Sequence, residues 1–430
     1  MPTFSIPLSG LTAESTALSA IANNLANQNT VGYKDVGVLF SDLFYQNLGT
    51  TGAGDPIQLG AGAKVGSMPG QFTQGSLNST GVPTDVAIQG DGFFVVQDTT
   101  GAISYTRAGN FAVDSNNFLV TSDGQQVQGY PAVNGVVTPG QGLGALQLGA
   151  GTISPPSATS TTQIATNLNA SAPVGSTFST PVTIFDSLGT SHVLTYTFTK
   201  TAANTWNYQL SIPSADLNPL VPVGGGPPVP QTGILATGAL GFDGGGNLIS
   251  VTPAGGTASL ANVTGITATS LADGAFDLNF AWDLLNGTTP VVTQVAGPSS
   301  TSATQQNGSS SGTLVNFSIG ADGTVTGSFS NGKTAALGQI ALATFADVEG
   351  LQRSGNTDFT PTLASGQSVV GSPGTGGRGG LSGGALELSN VDIATEFANL
   401  IIAQRAFEAN AKAVTTFDQI TQDTINLKPA

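Results

Sequence analysis

Residues 389–427 read SNVDIATEFANLIIAQRAFEANAKAVTTFDQITQDTINL, one amphipathic stretch closing a chain that is otherwise Gly-rich and strand-like. Apolar or small residues recur at three- and four-residue steps: Ile393, Phe397 and Leu400, then Phe407, Ala411 and Val414. That spacing is a helical stripe close to a heptad. Ser389 can accept from the first free amides, and Asp392 suits the positive end of the helix. No Gly or Pro interrupts the run before Pro429. A helix of about 35 residues spans on the order of 50 Å, too long for one small domain to cover. It needs a partner.

The partner is expected at the other end of the chain, in residues 9–28, SGLTAESTALSAIANNLANQ. Leu11, Leu18 and Leu25 lie seven apart with Ile21 between them, so one side of that helix carries a narrow apolar seam. Asn23, Asn24 and Asn27 crowd its end and weaken helix propensity, so the segment is expected to fold only when packed. Two readings stand side by side. The helices form an ordinary two-helix subdomain, or they also pack against copies of themselves in an assembly.

Composition narrows the classes. Of 430 residues, 8 % are charged, against about 25 % in an average soluble protein, so Thr, Ser, Asn, Gln and Gly must build the surface. A net charge of −15 with ten scattered basic residues argues against nucleic-acid binding, which needs clustered Lys and Arg. The chain has no cysteine, which removes disulfides, thiolate nucleophiles and cysteine-based metal sites. The first residues, MPTFSIPLSGL, lack the basic region, apolar core and cleavage site of a signal peptide. No apolar run is long enough to span a bilayer, so no membrane insertion is expected.

Between the ends the pattern is β. A Gly-rich stretch after Phe44 reads as an extended arm. From Asp85 strands follow: VAIQGDGFFVVQD, ISYTRAGNFAVD and NFLVTSDGQQVQGY, with Asp91-Gly92 and Asp123-Gly124 as candidate hairpin turns. Ser/Thr/Pro-rich passages near residues 150 and 312 bracket a block with clean alternation at Leu194, Tyr196 and Phe198, at Trp206, Tyr208, Leu210 and Ile212, and at Phe276, Leu278, Phe280 and Trp282. Paired linkers around one block suggest a domain inserted into another. The expected fold is α+β and multidomain: terminal helices paired as a coiled-coil-like inner domain (1–35, 385–430), arms (36–80, 371–384), a first, mainly antiparallel β domain (81–149, 313–370) and an inserted outer one (150–312).

Chemistry is sparse. His192, the lone histidine, shares the alternating face of Leu194 and Tyr196 and reads as a satisfied structural residue rather than an acid–base catalyst. Gly90-Asp91-Gly92 lacks the third glycine of a dinucleotide loop. Asp114-Ser115-Asn116-Asn117 lacks the Gly and Glu of a calcium loop and reads as a hairpin turn. Of the five glutamates only Glu349 lies among the β regions, the rest falling in or beside the terminal helices. No catalytic residue, cofactor or metal is expected.

Several short motifs complete the reading. Ser9-Gly10-Leu11, Asn23-Asn24-Leu25-Ala26-Asn27 and Thr30-Val31-Gly32-Tyr33-Lys34 stand near the start; Asp85-Val86-Ala87-Ile88, Gly92-Phe93-Phe94, Tyr105-Thr106-Arg107 and Val127-Gln128-Gly129-Tyr130 follow. Ser389-Asn390-Val391-Asp392, Glu396-Phe397 and residues 404–410, QRAFEAN, stand at the end. Together, over roughly residues 5–145 and 340–427, the chain resembles the hook/rod axial family of the bacterial flagellum, most closely its hook members. The resemblance implies an extracellular subunit exported by the flagellar type III apparatus without signal cleavage. It implies a homopolymeric curved tube, flexible under torque, whose terminal helices wall the export channel and whose ends meet distal rod, hook cap and hook–filament junction proteins. Leu11, Leu18, Ile21, Leu25, Ile393, Phe397, Leu400, Phe407, Ala411 and Val414 are then the expected subunit-packing residues. A rigid rod member of the same family is the nearest alternative. A secreted β-rich adhesin or carbohydrate-active protein is the alternative of another class, though neither explains the paired helices.

Overall fold

The computed structural model describes residues 5–148, 153–218, 220–222, 228–230 and 232–426. Of the Gly/Pro-rich passage at 219–230, residues 219 and 223–227 lie outside the described residues, as does Leu427, while Leu220–Pro222 pairs with Pro228–Pro230. The chain divides into two compact units. One comprises Met1–Ala150, Asn316–Gly327 and Thr334–Ala430; the other comprises Gly151–Val315 and Ser328–Lys333. The fold is α+β, with two α-helices at the ends of the chain and mainly antiparallel sheets between them.

Helix α1 spans Ser5–Ala26 and helix α2 spans Ile393–Asn426. The cap of α2 is Asp392, three residues later than Ser389. Asp392 Oδ1 accepts from the amides of Ala394 at 2.9 Å and Thr395 at 3.4 Å, and these bonds hold its carboxyl below the usual range. Ser389 Oγ accepts only from Val391 N, ahead of the helix. Among the described residues no helix is long and apolar enough to cross a membrane.

The expected arms are more ordered than their glycine content implies. Leu39–Asp42 pairs with Ala63–Ser67, and Tyr45–Thr50 pairs with Pro56–Gly60. Residues 39–67 therefore fold as one long antiparallel hairpin, anchored to α1 where the Ala63 amide donates to Ser9 Oγ at 3.2 Å. Residues 380–387 are likewise strands: Gly380–Gly383 pairs with Val86–Gln89, and Ala385–Glu387 pairs with Leu77–Ser79. Glycine serves close approach here, since a Cβ on Gly383 would stand 2.5 Å from the Ile319 carbonyl.

In the first unit, Phe93–Gln97 pairs with Ile103–Thr106, with Gln126–Val133 and with Leu342–Thr344; Gln126–Val133 also pairs with Thr334–Ile340. The two sides of Phe93–Gln97 feed different cores, as period-2 alternation requires. Phe94 and Val96 join Val86, Ile88 and Leu342, whereas Phe93 and Val95 join Tyr105, Leu351 and Phe359. Asp123-Gly124 does close a hairpin, as does Asp114–Asn117, where Asp114 Oδ1 accepts from the Asn116 and Phe118 amides. Asp91-Gly92 does not: Val86–Gln89 takes Gly380–Gly383 as its partner, leaving the turn between strands of different pairings.

The second unit holds two five-stranded sheets around one core. Tyr196, Phe198, Trp206, Tyr208, Leu210, Leu278, Phe280 and Trp282 all lie in it, as their alternation predicts. Phe276 does not. It is 85 % exposed in the loop before Leu278–Asp283, where Asp277 Oδ1 takes the Ser270 amide. The Ser/Thr-rich passages are also strands rather than bare linkers. Thr161–Asn167 pairs with Ser300–Gln306, and Thr166 and Thr301 join hydroxyls at 3.1 Å. Hydroxyl residues are compatible with a sheet when they bond across it.

Candidate assembly site

The two terminal helices run antiparallel. Gly10 faces the Asn410 side chain, so that a Cβ on it would fall 2.8 Å from Asn410 Nδ2; at the other end of α1, Asn24 lies near Glu396. Ala17 and Ala403, midway between these points, are both buried. The seam inside the chain is thus made of small residues, with Ala13, Ala17, Ala20 and Asn24 as the face of α1. It is not the leucine seam. Leu11, Leu18, Ile21 and Leu25 each follow a residue of the Gly10, Ala17, Ala20, Asn24 row, about 100° further round the helix, and are half-buried. Small side chains let two backbones approach closely, and they leave the larger ones at the flank.

Helix α2 shows the same division. Leu400, Ala411 and Val414 are half-buried along the margin of the seam. Phe407 is 37 % exposed, and Ile393 and Phe397, in the first turns of α2, are 46 % and 52 % exposed. The structure therefore brings Leu400, Ala411 and Val414 beside α1 and leaves Ile393 and Phe397 exposed.

Below the seam the motifs meet in one buried ionic joint. Lys34 Nζ donates to Glu387 Oε1 at 2.6 Å and to the Thr73 carbonyl at 2.7 Å. Arg107 NH1 reaches Glu387 Oε2 at 3.3 Å, and Gly75 N adds a third donor to the carboxylate. Lys34 and Glu387 are wholly buried, and Arg107 nearly so. Burial pushes the Lys34 ammonium below its ordinary value despite the Glu387 bond, and it lowers Arg107 in the same way. Arg107 also lies over the Phe93 ring at 5.4 Å. The backbone closes the joint: Gly32 N donates to Glu387 O at 2.8 Å, and Asp35 N to Asn390 Oδ1 at 2.9 Å.

This joint explains motifs whose residues read separately as loops. Asn24 is 1 % exposed; its amide donates to Val36 O and its Oδ1 accepts from Val36 N and the Tyr33 hydroxyl. It is the buried knot that turns α1 into the following loop. Sequence reasoning missed the Lys34–Glu387–Arg107 triad because its members lie 353 and 280 positions apart. The one available signal was that three of few charged residues sit inside or beside recurring motifs.

Near this knot two carboxylates face low-dielectric surroundings. Burial raises Glu396, with the nearby Asn24 side chain opposing it and the Asp35 charge adding to it. Burial likewise raises Asp35, against Arg353 and Lys34. A raised carboxyl holds its proton longer in the folded state. Folding stability from these groups is therefore greatest on the acid side and declines as pH rises through the native values towards neutrality. Glu396→Gln is expected to flatten that decline and raise the neutral-pH melting temperature of the first unit. Superimposable melting-temperature-versus-pH curves for the two proteins would refute this.

Four family models match the chain in order. "Flagella basal body rod protein" covers residues 6–34, and "Flagellar hook protein FlgE/F/G D1 domain" covers 87–167. "Flagellar basal body protein FlaE D2 domain" covers 155–309, and "Flagellar basal body rod FlgEFG protein C-terminal" covers 382–427. The flagellar hook protein FlgE of Escherichia coli K12 is 36 % identical over 438 residues, covering 99 % of this chain and all of that one. That of Treponema pallidum is 33 % identical over 474 residues, covering 98 % of each. A crystal structure of Helicobacter pylori FlgE2 matches 72 % of this chain at TM-score 0.48 and 15 % identity. Because the likeness to hook proteins runs from α1 through both β units to α2, and covers the relatives end to end, the chain belongs to the flagellar hook protein family and is a structural subunit of the extracellular hook.

Proposed function

We propose that copies of this chain polymerise through the helix faces that the alanine seam leaves open. Leu11, Leu18, Ile21 and Leu25 on α1 and Ile393, Phe397, Leu400, Phe407, Ala411 and Val414 on α2 are the packing residues, covered by helices of neighbouring copies. One observation carries this reading: α2 is 34 residues long, yet only Glu396 and Ala403 are buried within the chain. Ile401, Ile402, Ile420 and Ile425 stand exposed along the same helix as Ile393 and Phe397, and uncovered apolar surface of this kind marks an interaction face. The hairpin arm likewise exposes Phe40, Phe44, Tyr45 and Leu48.

A heterologous contact repeated along a helix gives an open-ended polymer. In such a polymer the terminal helices wall a tube enclosing the export channel and carry torque. The tube's ends meet distal rod, hook cap and hook–filament junction proteins, and the flagellar type III apparatus delivers the subunits. The protein works by packing, with no catalytic step.

Truncating an apolar side chain that assembly buries costs about 2–5 kcal/mol, repeated at every subunit. Phe397→Ala and Phe407→Ala are expected to melt as the wild-type monomer does, yet to give short tubes or none by electron microscopy. Normal tubes from both variants, or a defect confined to monomer stability, would sink the assignment.

A further inference from the structure

The second unit carries a cluster that the hook role does not use. Asp186 sits in the turn joining Thr177–Phe185 to Ser191–Ala202, and His192 opens the latter strand. Asp216 ends the short 3-10 turn Ser214–Asp216, and Asp273 lies in the loop after Leu271. Cross-bonds hold these loops together: Ala272 N donates to Asp216 O at 3.0 Å, and Phe276 N to Ser187 Oγ at 3.0 Å. Asp186 is fully buried and His192 is 4 % exposed, whereas Asp273 opens to solvent.

The hydrogen bonds set the chemistry of the imidazole. Nδ1 lies 3.0 Å from Asp216 Oδ2 and Nε2 lies 3.2 Å from Asp186 Oδ2. Each ring nitrogen thus faces a carboxylate oxygen, Nδ1 that of Asp216 and Nε2 that of Asp186. Asp273 brings a second carboxylate to the same point, and ligand atoms of Asp186, His192 and Asp273 all lie within 4.8 Å of one another. Two of these groups, Asp186 and His192, are buried, and Asp273 lies on the solvent side. A proton on Nε2 completes the bond to Asp186 and leaves one positive charge among three carboxylates. A divalent ion in place of that proton would balance more of the negative charge.

We infer that Asp186, His192 and Asp273 form a binding site for a divalent transition ion of the Zn2+ class, with Asp216 orienting the histidine. Imidazole with carboxylates is a ligand set that such ions favour, and a carboxylate on the far ring nitrogen is the usual outer partner of a metal-bound histidine. Tetrahedral zinc with bonds of about 2.1 Å needs ligand atoms about 3.4 Å apart. The Nε2–Oδ2 spacing of 3.2 Å is close to this, and the Asp273 ligand atom lies within 4.8 Å of both. The site's open side admits the ion and leaves a fourth position for water. The site lies within the second unit, so it stands or falls apart from the assembly proposal.

Full-length monomer freed of metal by chelation tests it, with zinc chloride as the probe. Calorimetric titration is expected to show one saturable site per chain, and zinc to raise the melting temperature of the second unit. The chain has one histidine, so its imidazole nitrogen-15 signals report ligation at Nε2 without ambiguity. Asp273→Asn, a change on an exposed loop, is expected to keep the metal-free melting temperature and weaken zinc binding at least tenfold. Absence of saturable binding would overturn the site. So would undiminished binding by Asp273→Asn, or magnesium binding as tight as zinc, which marks a mere acidic surface.

Discussion

Glu387→Ala is expected to destabilise the first unit by about 3–5 kcal/mol, the usual cost of removing one partner from a buried ion pair. The carboxylate is where the joint's hydrogen bonds converge, accepting from Lys34, Arg107 and Gly75, while Asp35 and Asp91 act on the two cations through charge alone. Without it two cations remain in a dry interior. Lys34 keeps only the Thr73 carbonyl, and Arg107, whose Nε already lacks a partner, keeps the Phe93 ring. Denaturant unfolding followed by a probe in each unit makes the measurement, with the second unit as internal reference. Replacing all three charged side chains by apolar ones of similar volume should recover much of the loss, since well-packed apolar groups often match a buried ion network. An unshifted transition in Glu387→Ala would show that the joint contributes no net stability.

Gly32→Ala is the second large effect, and it reaches the same joint through the backbone. Gly32 has φ +68°, the left-handed region, which costs a residue with a Cβ about 1–2 kcal/mol. The new Cβ would also lie 2.5 Å from Ala108 N, and forcing atoms into a packed site costs about 1–3 kcal/mol more. Relief requires the loop to draw back from residues 107–108. That movement would stretch the Gly32 N–Glu387 O bond and carry Lys34 away from its carboxylate. The expected result is loss of stability in the first unit together with earlier proteolysis between α1 and the arm. A variant with wild-type melting and wild-type cleavage would mean that the loop adapts freely.

Both substitutions act where distant segments meet, which is also where sequence reasoning was weakest. The helices were legible because period 3.6 is local: the run after Asp392 carries its pattern within itself, as do the alternating strands around Tyr196, Tyr208 and Phe280. Glycine-rich and Ser/Thr-rich stretches were read as arms and linkers because their composition lacks apolar alternation. They became strands because a partner supplied the missing hydrogen bonds, as Gly380–Gly383 does for Val86–Gln89.

The amino-acid sequence by itself determined the α+β class, the long closing helix, its partner at the opposite end and the motifs that mark the hook family. Each of these rests on spacing within a few residues, or on residue types that exclude a chemistry outright. Only the tertiary structure decided which face of α1 meets α2, because large and small stripes share one helix and close approach favours Ala13, Ala17 and Ala20 over the leucines. It alone joined Lys34 to Glu387 and Arg107, and His192 to Asp186, Asp216 and Asp273. Charges attract through space, and no periodicity along the chain records which carboxylate a folded loop will bring within 3 Å of a given cation.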